Sequence, residues 1–123
     1  MPFTVDYLDD KGIVVIVNIG KLNYNDYVNQ TINAVKLGHK KNSQLFLSDC
    51  SQLVSLAKTI EIYDMPAMFK RVGLPRTSRI ALLMAKDAAT KKYIRFFETV
   101  CYNRGWHVKI FNHKDEAIVW LLE

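Results

Sequence analysis

The residues best suited to chemistry follow two short apolar stretches in the middle of the chain. Leu45-Phe46-Leu47 is typical of a short buried strand, and Ser48-Asp49-Cys50-Ser51 comes directly after it. The next apolar strand, Ile80–Met84, runs into Ala85-Lys86-Asp87. Ligands of open parallel sheets bind outside the carboxyl ends of the strands. We therefore expect one ligand site to combine Asp49, Ser51, Lys86 and Asp87.

Two interpretations of this polar group remain open. In the first, Asp49 orients a hydroxyl, and Lys86 together with a helix N-terminus holds an anion. Such a group would serve a ligand site, or a small hydrolase or transferase that uses Asp49, Ser51 and Lys86. In the second, Asp49 and Ser51 shape a turn, Asp87 caps a helix and Lys86 is solvated. The second is favoured because these residue types are common in turns and caps. Cys50 has no histidine close to it in sequence, and buried thiols are usually inert.

Most other chemical motifs are absent from the sequence. There is no GxGxxG and no GxxxxGK[ST] stretch, and the histidines, at positions 39, 107 and 113, lack metal-ligand spacing. The two cysteines are 51 positions apart, outside any CxxC pair. We therefore predict no catalytic residue, no cofactor and no metal. The pattern indicates two reduced thiols and, without a signal-peptide pattern or a long apolar run, a cytoplasmic protein.

The charge balance constrains the partners only mildly. Seventeen basic and 12 acidic residues give a net charge of +5, which suits an acidic partner, a phosphate, an anionic membrane surface or simply solubility. Nucleic-acid-binding domains usually combine more basic residues with stacking aromatics, so no nucleic acid is expected. Two basic groups have alternative roles. Lys91, Lys92 and Arg95 mark a membrane-surface helix or the solvated side of a docked one, and Arg71, Arg76 and Arg79 mark a phosphate grip or a solvated loop.

The elements that position these residues follow from hydrophobic spacing and turn signals. An opening hairpin is predicted from Thr4–Leu8 and Ile13–Val17. Asn23 or Asn25 caps a first helix that stops at Gly38, and a polar loop covers 39–42. A helix from about Ser55 to Val72 is interrupted by Pro66, which predicts a kink or two shorter helices. Asp87 caps a helix to about Asn103, an edge strand spans 106–111, and Asn112 caps a last helix.

This order predicts one α/β domain over residues 1–123. A hairpin is followed by three helix–strand repeats and a final helix. Strands that alternate with helices imply parallel pairing with helices covering the sheet. The predicted fold is a mixed, mostly parallel sheet of four or five strands, with an antiparallel N-terminal hairpin and helices packed on it.

Three stretches resemble the SpoIIAA-like group, which joins STAS domains and the Sec14-type fold. Gly73-Leu74-Pro75-Arg76 leading to Arg79-Ile80-Ala81-Leu82-Leu83 is similar to the approach to the family's fourth strand. Leu45–Asp49 is similar to its third strand, and Val108–Phe111 with Glu116-Ala117 and Trp120-Leu121 is similar to its ending. The resemblance implies a small bacterial cytosolic module that binds a protein partner, as STAS regulators do, or an apolar small molecule, as Sec14 folds do. A homodimer and a membrane-surface contact are further alternatives.

The resemblance also points to Ser55 as a ligand-binding or regulatory residue. STAS regulators carry an Asp-Ser-Ser-Gly step at the start of the helix after the third strand, and a serine there is phosphorylated to switch partner binding. Here the region reads Leu53-Val54-Ser55-Leu56-Ala57-Lys58, without the aspartate and the glycine. The alternative is that Ser55 and Thr59 are helix caps, so that an aspartate at position 55 changes stability by less than about 1 kcal/mol and leaves partner affinity unchanged.

Overall fold

The computed structural model describes residues 2–123 as an alternation of strands and helices. A hairpin, three helix–strand repeats and a final helix follow one another, as the sequence predicts. The elements are β1 (Phe3–Leu8), β2 (Ile13–Leu22), α1 (Tyr24–Lys41), β3 (Leu45–Ser55), α2 (Thr59–Arg71), β4 (Arg79–Leu83), α3 (Ala88–Asn103), β5 (His107–Phe111) and α4 (Lys114–Leu122).

The strands form one five-stranded sheet in the order β1-β2-β3-β4-β5. β1 and β2 are antiparallel, as a hairpin requires, and the other three pairings are parallel. The predicted mixed, mostly parallel sheet is thus confirmed. β1 and β5 are its edges, and β3 lies at its centre.

The helices divide unequally between the two faces of the sheet. Right-handed crossovers that all advance in the same direction place their helices on one face, and α1, α2 and α3 share a large apolar core with β1–β5 there. α4 covers the opposite face, where Ala117 and Leu121 pack against Ile13, Leu47 and Ala81. One face is therefore a thick helical layer, and the other is covered by a single short helix.

The third strand is much longer than predicted, and this changes the setting of the candidate site. β3 continues to Ser55, so Ser48–Ser51 lie inside the strand rather than in a loop after it. The strand continues because it pairs with β2 as far as Leu22↔Ser55. α2 accordingly begins at Thr59, not near Ser55. It runs without a break through Pro66, which is buried in the core, so tertiary packing outweighs the backbone bond that the proline removes.

Two helix boundaries also differ from the prediction. α1 does not stop at Gly38 but continues to Lys41 and ends at Asn42, which has φ 54°. Gly38 is instead required by space, because a Cβ there would lie 2.9 Å from the Ser43 carbonyl oxygen and 3.1 Å from the Phe46 ring. The N-cap of α4 is His113, one residue after the predicted Asn112. The predicted caps Asn23 and Asp87 are confirmed.

The two basic groups have different settings in the structure. α3 is docked, with Ile94, Phe97 and Val100 buried, which confirms the docked interpretation of its basic face. The three arginines around Gly73–Pro75 do not converge. Arg71 pairs with Asp64, Arg76 stacks on Trp106 and Arg79 stacks on Trp120.

We predict that Gly38→Ala destabilises the protein. Glycine to alanine inside a helix normally stabilises by up to about 1 kcal/mol, but here the added methyl would meet backbone and a buried ring. Overpacking of this kind costs about 1–3 kcal/mol, which should appear as a lower urea midpoint. The matched control is Asn29→Ala, an exposed position of the same helix, which should be neutral or slightly stabilising. A stabilised Gly38→Ala variant would contradict the close approach.

Candidate binding site

The carboxyl-terminal half of β3 extends past the end of β4. β3 pairs with β4 only as far as Asp49↔Leu83, but with β2 as far as Ser55. Beyond that point the β4–α3 connection and the first turn of α3 take the place of β4. The Lys86 N–H donates to the Ser51 carbonyl at 3.4 Å, and the Ser55 N–H donates to Thr90 Oγ1 at 3.0 Å. The strand end is therefore closed by polar contacts rather than by another strand.

A bulge in β3 changes which residues face the helical layer. Val17 pairs with Asp49 and Ile19 pairs with Gln52, so Asn18 lies opposite two residues of β3. Before the bulge, Phe46 and Cys50 face the large core, and after it Leu53 does. An extra residue in one strand shifts the alternation of side chains by one position. The bulge thus lets both halves of β3 present apolar side chains to the same core.

A buried amide network surrounds this bulge. Asn18 is 1% exposed, and its side-chain amide donates to the Asp49 carbonyl at 3.0 Å and to Ser48 Oγ at 3.1 Å. Its Oδ1 accepts from Gln30 Nε2 of α1 at 2.5 Å. Buried amides cost about 1–3 kcal/mol when unpaired. The network therefore ties α1 to the two central strands at one defined position.

Ser55 lies at the edge of a second polar cluster, formed with two tyrosines. Its Oγ accepts from the Tyr27 hydroxyl at 2.9 Å and from the Ala57 N–H at 3.3 Å. The rings of Tyr27 and Tyr93 stack with centroids 5.8 Å apart. Burial raises the pKa of Tyr27 to about 12 and holds the pKa of Tyr93 well above its usual value. Both phenols are therefore neutral donors at physiological pH, and Ser55 is a strand-end anchor rather than a helix cap.

Asp87 has the capping role that the sequence indicates. Its carboxylate accepts from the Thr90 N–H at 3.0 Å and from the Thr90 hydroxyl at 2.7 Å. These bonds to the side chain and then to the backbone of Thr90 lower the pKa of Asp87. Because Thr90 Oγ1 also accepts from the Ser55 N–H, Asp87 is linked to Ser55 through one residue.

The structure divides the predicted site residues into two groups. Ser55 and Asp87 lie together on the side of the helical layer, joined through Thr90. Asp49 alternates with Ser48 and Cys50 and shares the α4 face with Leu47. Its Oδ1 accepts from the Ser51 N–H at 2.9 Å, and Lys86 reaches Ser51 through its backbone. Hydrogen bonds thus link Asp49 to Ser51 and Ser51 to Lys86, and the expected convergence of Asp87 with them stays a prediction. Ligand binding by these residues stays a prediction.

The sequence interpretation missed the residues that form the buried clusters. Asn18 continues the inward alternation of Val14 and Ile16, so a polar side chain at that position signals a buried partner. Tyr27, Gln30 and Ala34 share a helix face and are all buried. A search for polar residues on otherwise apolar stripes would have found Asn18 and Gln30.

A cavity of about 80 Å³ lies in the core between the sheet and the helices. Asn18, Gln30 and Ser48 supply polar atoms to its lining, and Ala34 and Phe46 belong to the mainly apolar remainder. A dry engineered cavity that binds benzene measures about 150 Å³. The space in this core is therefore too small for a lipid unless the helices move.

Apolar side chains are exposed where β3 passes into α2. Leu56 is 52% exposed, Ile60 is 75% exposed and Tyr63 is 47% exposed. Ile60 and Tyr63 are three positions apart on α2 and so share one face of the helix, and the Tyr63 ring packs edge-on against Phe96 of α3 at 5.2 Å. We call Leu56, Ile60 and Tyr63 the junction surface. Large apolar side chains grouped in water are typical of contact sites.

Neither cysteine has the properties of a nucleophile. Cys50 and Cys101 are free and buried. Burial raises the pKa of each thiol to about 12. Across residues 2–123, no group of three or more His, Cys, Asp or Glu side chains could hold a metal ion. Within the same residues, every helix is too short or too polar to cross a membrane.

Neither a protein-family model nor a curated protein sequence matches the chain. Solved structures that share its fold include the following three. An uncharacterised DUF3478-family protein with a SpoIIAA-like fold from Shewanella loihica is 18% identical, with 97% of this chain and 91% of that chain covered and a TM-score of 0.58. The anti-sigma factor antagonist SpoIIAA in its unphosphorylated form is 15% identical, with 96% of both chains covered and a TM-score of 0.54.

The third structure is an anti-sigma factor antagonist from Mycobacterium paratuberculosis. It is 15% identical, with 98% of this chain and 95% of that chain covered and a TM-score of 0.62. The chain therefore has the SpoIIAA-like fold over nearly its whole length. The resemblance in the sequence is confirmed at the level of the fold.

We predict that alkaline pH weakens the fold through the buried thiols. The folded pKa of Cys50 and Cys101 is about 12 against an ordinary 9.0, so the folded protein keeps protons that the unfolded chain releases. The contribution of the two thiols to the free energy of unfolding is complete below pH 9 and is lost as the pH rises toward 12. Urea midpoints should fall between about pH 8 and pH 10, and by less in Cys50→Ala. An equal fall in that variant would exclude Cys50 as a cause.

We also predict that Ser55→Ala is more costly than loss of a helix cap. The change leaves the Tyr27 hydroxyl and the Ala57 N–H without their acceptor, so we expect a loss of about 1–3 kcal/mol. Tyr27→Phe removes the hydroxyl that donates to Ser55. The double variant should therefore lose less unfolding free energy than the sum of the two single variants. Additive losses in urea denaturation would show that the two side chains do not interact.

Proposed function

We propose that this protein is a non-enzymatic regulatory module that binds a protein partner through the junction surface. The observation that carries the proposal is the exposure of three large apolar side chains, Leu56, Ile60 and Tyr63, on a fold with a well-packed core elsewhere. Two solved structures with this fold are anti-sigma factor antagonists, which are regulators that act on other proteins. That likeness supports a protein as the partner class.

The setting of the junction surface suits a rigid docking platform. Leu56 is held directly after the end of β3 because its N–H donates to the Leu22 carbonyl of β2 at 2.8 Å. α2 is tied to α1 by the Tyr24 hydroxyl, which donates to the Asp64 carboxylate. Arg71 bonds the same carboxylate at 3.0 Å. A surface that is already ordered loses little conformational entropy on binding, which favours affinity.

A hydrolase or transferase fits the strand end less well. The Asp49 carboxylate accepts from the Ser51 N–H, and Asp87 is committed to Thr90. Lys86 contributes its backbone N–H to Ser51, and its side chain is exposed to solvent. A general base needs a partner proton within hydrogen-bond reach, and these carboxylates already serve local backbone. The arrangement therefore favours structural roles for Asp49 and Asp87.

A small apolar molecule in the core is the second candidate, favoured by the 80 Å³ cavity. The cavity admits only a compact uncharged molecule. Native mass spectrometry of the purified protein should show such an adduct, and Ala34→Leu, which adds three carbons to the lining, should lose it. A wild-type spectrum without any adduct would contradict this candidate and leave the protein partner as the function.

We predict that Ile60→Ser abolishes capture of the protein partner. The tagged protein is used to capture proteins from a lysate of the source organism, and Ile60→Ser is compared with Val119→Ser. Val119 of α4 is 62% exposed and lies on the other face of the sheet. A partner retained by wild type and by Val119→Ser but lost by Ile60→Ser supports the junction surface. Losing an exposed anchor weakens binding at least about tenfold.

The proposal is contradicted if the two variants behave alike. Thermal melts of Ile60→Ser should match those of wild type, because the side chain is 75% exposed and its removal costs the core little. Reconstitution with the purified partner then gives an affinity for each variant. Turnover of generic esters or phosphates that disappears in Asp49→Ala would favour the enzyme instead.

A further inference from the structure

A groove of about 560 Å³ runs between the edge strand β1 and the helix α1, far along the sheet from the junction surface. Phe3, Thr4 and Val5 of the strand form one wall. The opposite wall is one face of the helix, made by Asn33, Lys36, Leu37 and Lys40. Phe3, Val5 and Leu37 give the groove an apolar floor, since all three pack in or against the core.

The strand wall of the groove carries free hydrogen-bonding capacity. β1 is an edge strand, and β2 is its only neighbour in the sheet over residues 2–123. An edge strand presents a row of N–H and C=O groups that can pair with another extended chain. Peptide-binding domains use this geometry when a segment adds to a sheet edge and places alternate side chains in the groove beside a helix.

The helix wall fixes the charge of the occupant. Lys36 and Lys40 are exposed, lie four positions apart and are in the last turns of α1, so both sit on the groove side of the helix. Lys41 adds a third positive charge, with its ammonium 5.4 Å from the Tyr7 ring of β1. A second copy of this chain pairing edge to edge would bring lysines of the two copies together. The charge therefore favours an acidic chain.

We propose that the groove between β1 and α1 binds an acidic extended peptide segment, which adds to β1 as a sixth strand. Main-chain bonds to β1 supply the pairing. Alternate side chains of the peptide face the groove, where small apolar ones contact Phe3, Val5 and Leu37 and acidic ones meet Lys36 and Lys40. The side chains between them lie on the opposite face of the sheet, away from α1. The site is separate from the junction surface and does not depend on the function proposed there.

The test uses a pool of fluorescent decapeptides in which every second residue is Val, Ile, Asp or Glu and the residues between them are Ser or Thr, titrated with the full chain and read by anisotropy. Members of the pool should bind with saturation below about 1 mM and weaken as salt is added. The same peptides N-methylated on alternate backbone nitrogens should not bind, because they cannot pair with the strand. The amide protons of Phe3–Tyr7 should exchange more slowly in the complex.

Matched charge variants locate the site. K36Q/K40Q should weaken binding several-fold and K36E/K40E at least about tenfold, with thermal melts confirming that both remain folded. K70E/K92E makes the same change in charge at exposed positions of α2 and α3 and should bind as wild type does. Ile60→Ser should also bind normally, which separates this site from the junction surface.

Several outcomes overturn the proposal. They are absence of binding across the pool, undiminished binding of the N-methylated peptides, equal losses in K36E/K40E and K70E/K92E, or a dimer mass in solution that dissociates when β1 is altered. The last would assign the edge to a second copy of this chain.

Discussion

Burial of β3 under helices on both faces requires every polar group of that strand to find a partner inside the protein. The strand carries two serines, an aspartate and a cysteine in its middle, a composition that elsewhere would form a loop. The Asn18 amide donates to the Ser48 hydroxyl and the Asp49 carbonyl, and its oxygen accepts from Gln30. The Ser55 N–H donates to the Thr90 hydroxyl. Across residues 2–123, Ser78 Oγ is the single buried side-chain polar atom without a bond.

These buried hydrogen bonds also hold the helices in place, which leaves parts of the surface free for binding. The amide network fixes α1 against the central strands, and the Thr90 bond fixes the start of α3 against the end of β3. With both helices held, α2 lies between them and can leave Ile60 and Tyr63 in water without loss of order. The face of α1 that lines the groove beside β1 is likewise free to carry lysines. The polar interior thus supports two separate exposed surfaces.

Local chemistry predicted the order of the elements, the hairpin and the caps at Asn23 and Asp87, because each depends on a few neighbouring residues. The end of β3 was not predictable in this way, since Cys50–Ser55 become a strand only through pairing with β2, more than 25 positions earlier in the chain. Pro66 and Gly38 misled for a related reason. Each breaks a helix in isolation, but burial of α2 and the close approach of α1 to Phe46 outweigh that tendency.

The candidate site was likewise predictable where it depends on neighbouring residues and not where it depends on distant pairing. Asp87 was identified through its capping role, which is local, whereas the relation between Asp49 and Ser55 depends on the single extra residue at the bulge. That residue has a consequence for how this gene can vary. Loss of one codon between those for Asp49 and Gln52 would remove the extra residue, so that Asn18 lay opposite a single residue and regular alternation still placed Leu53 in the core.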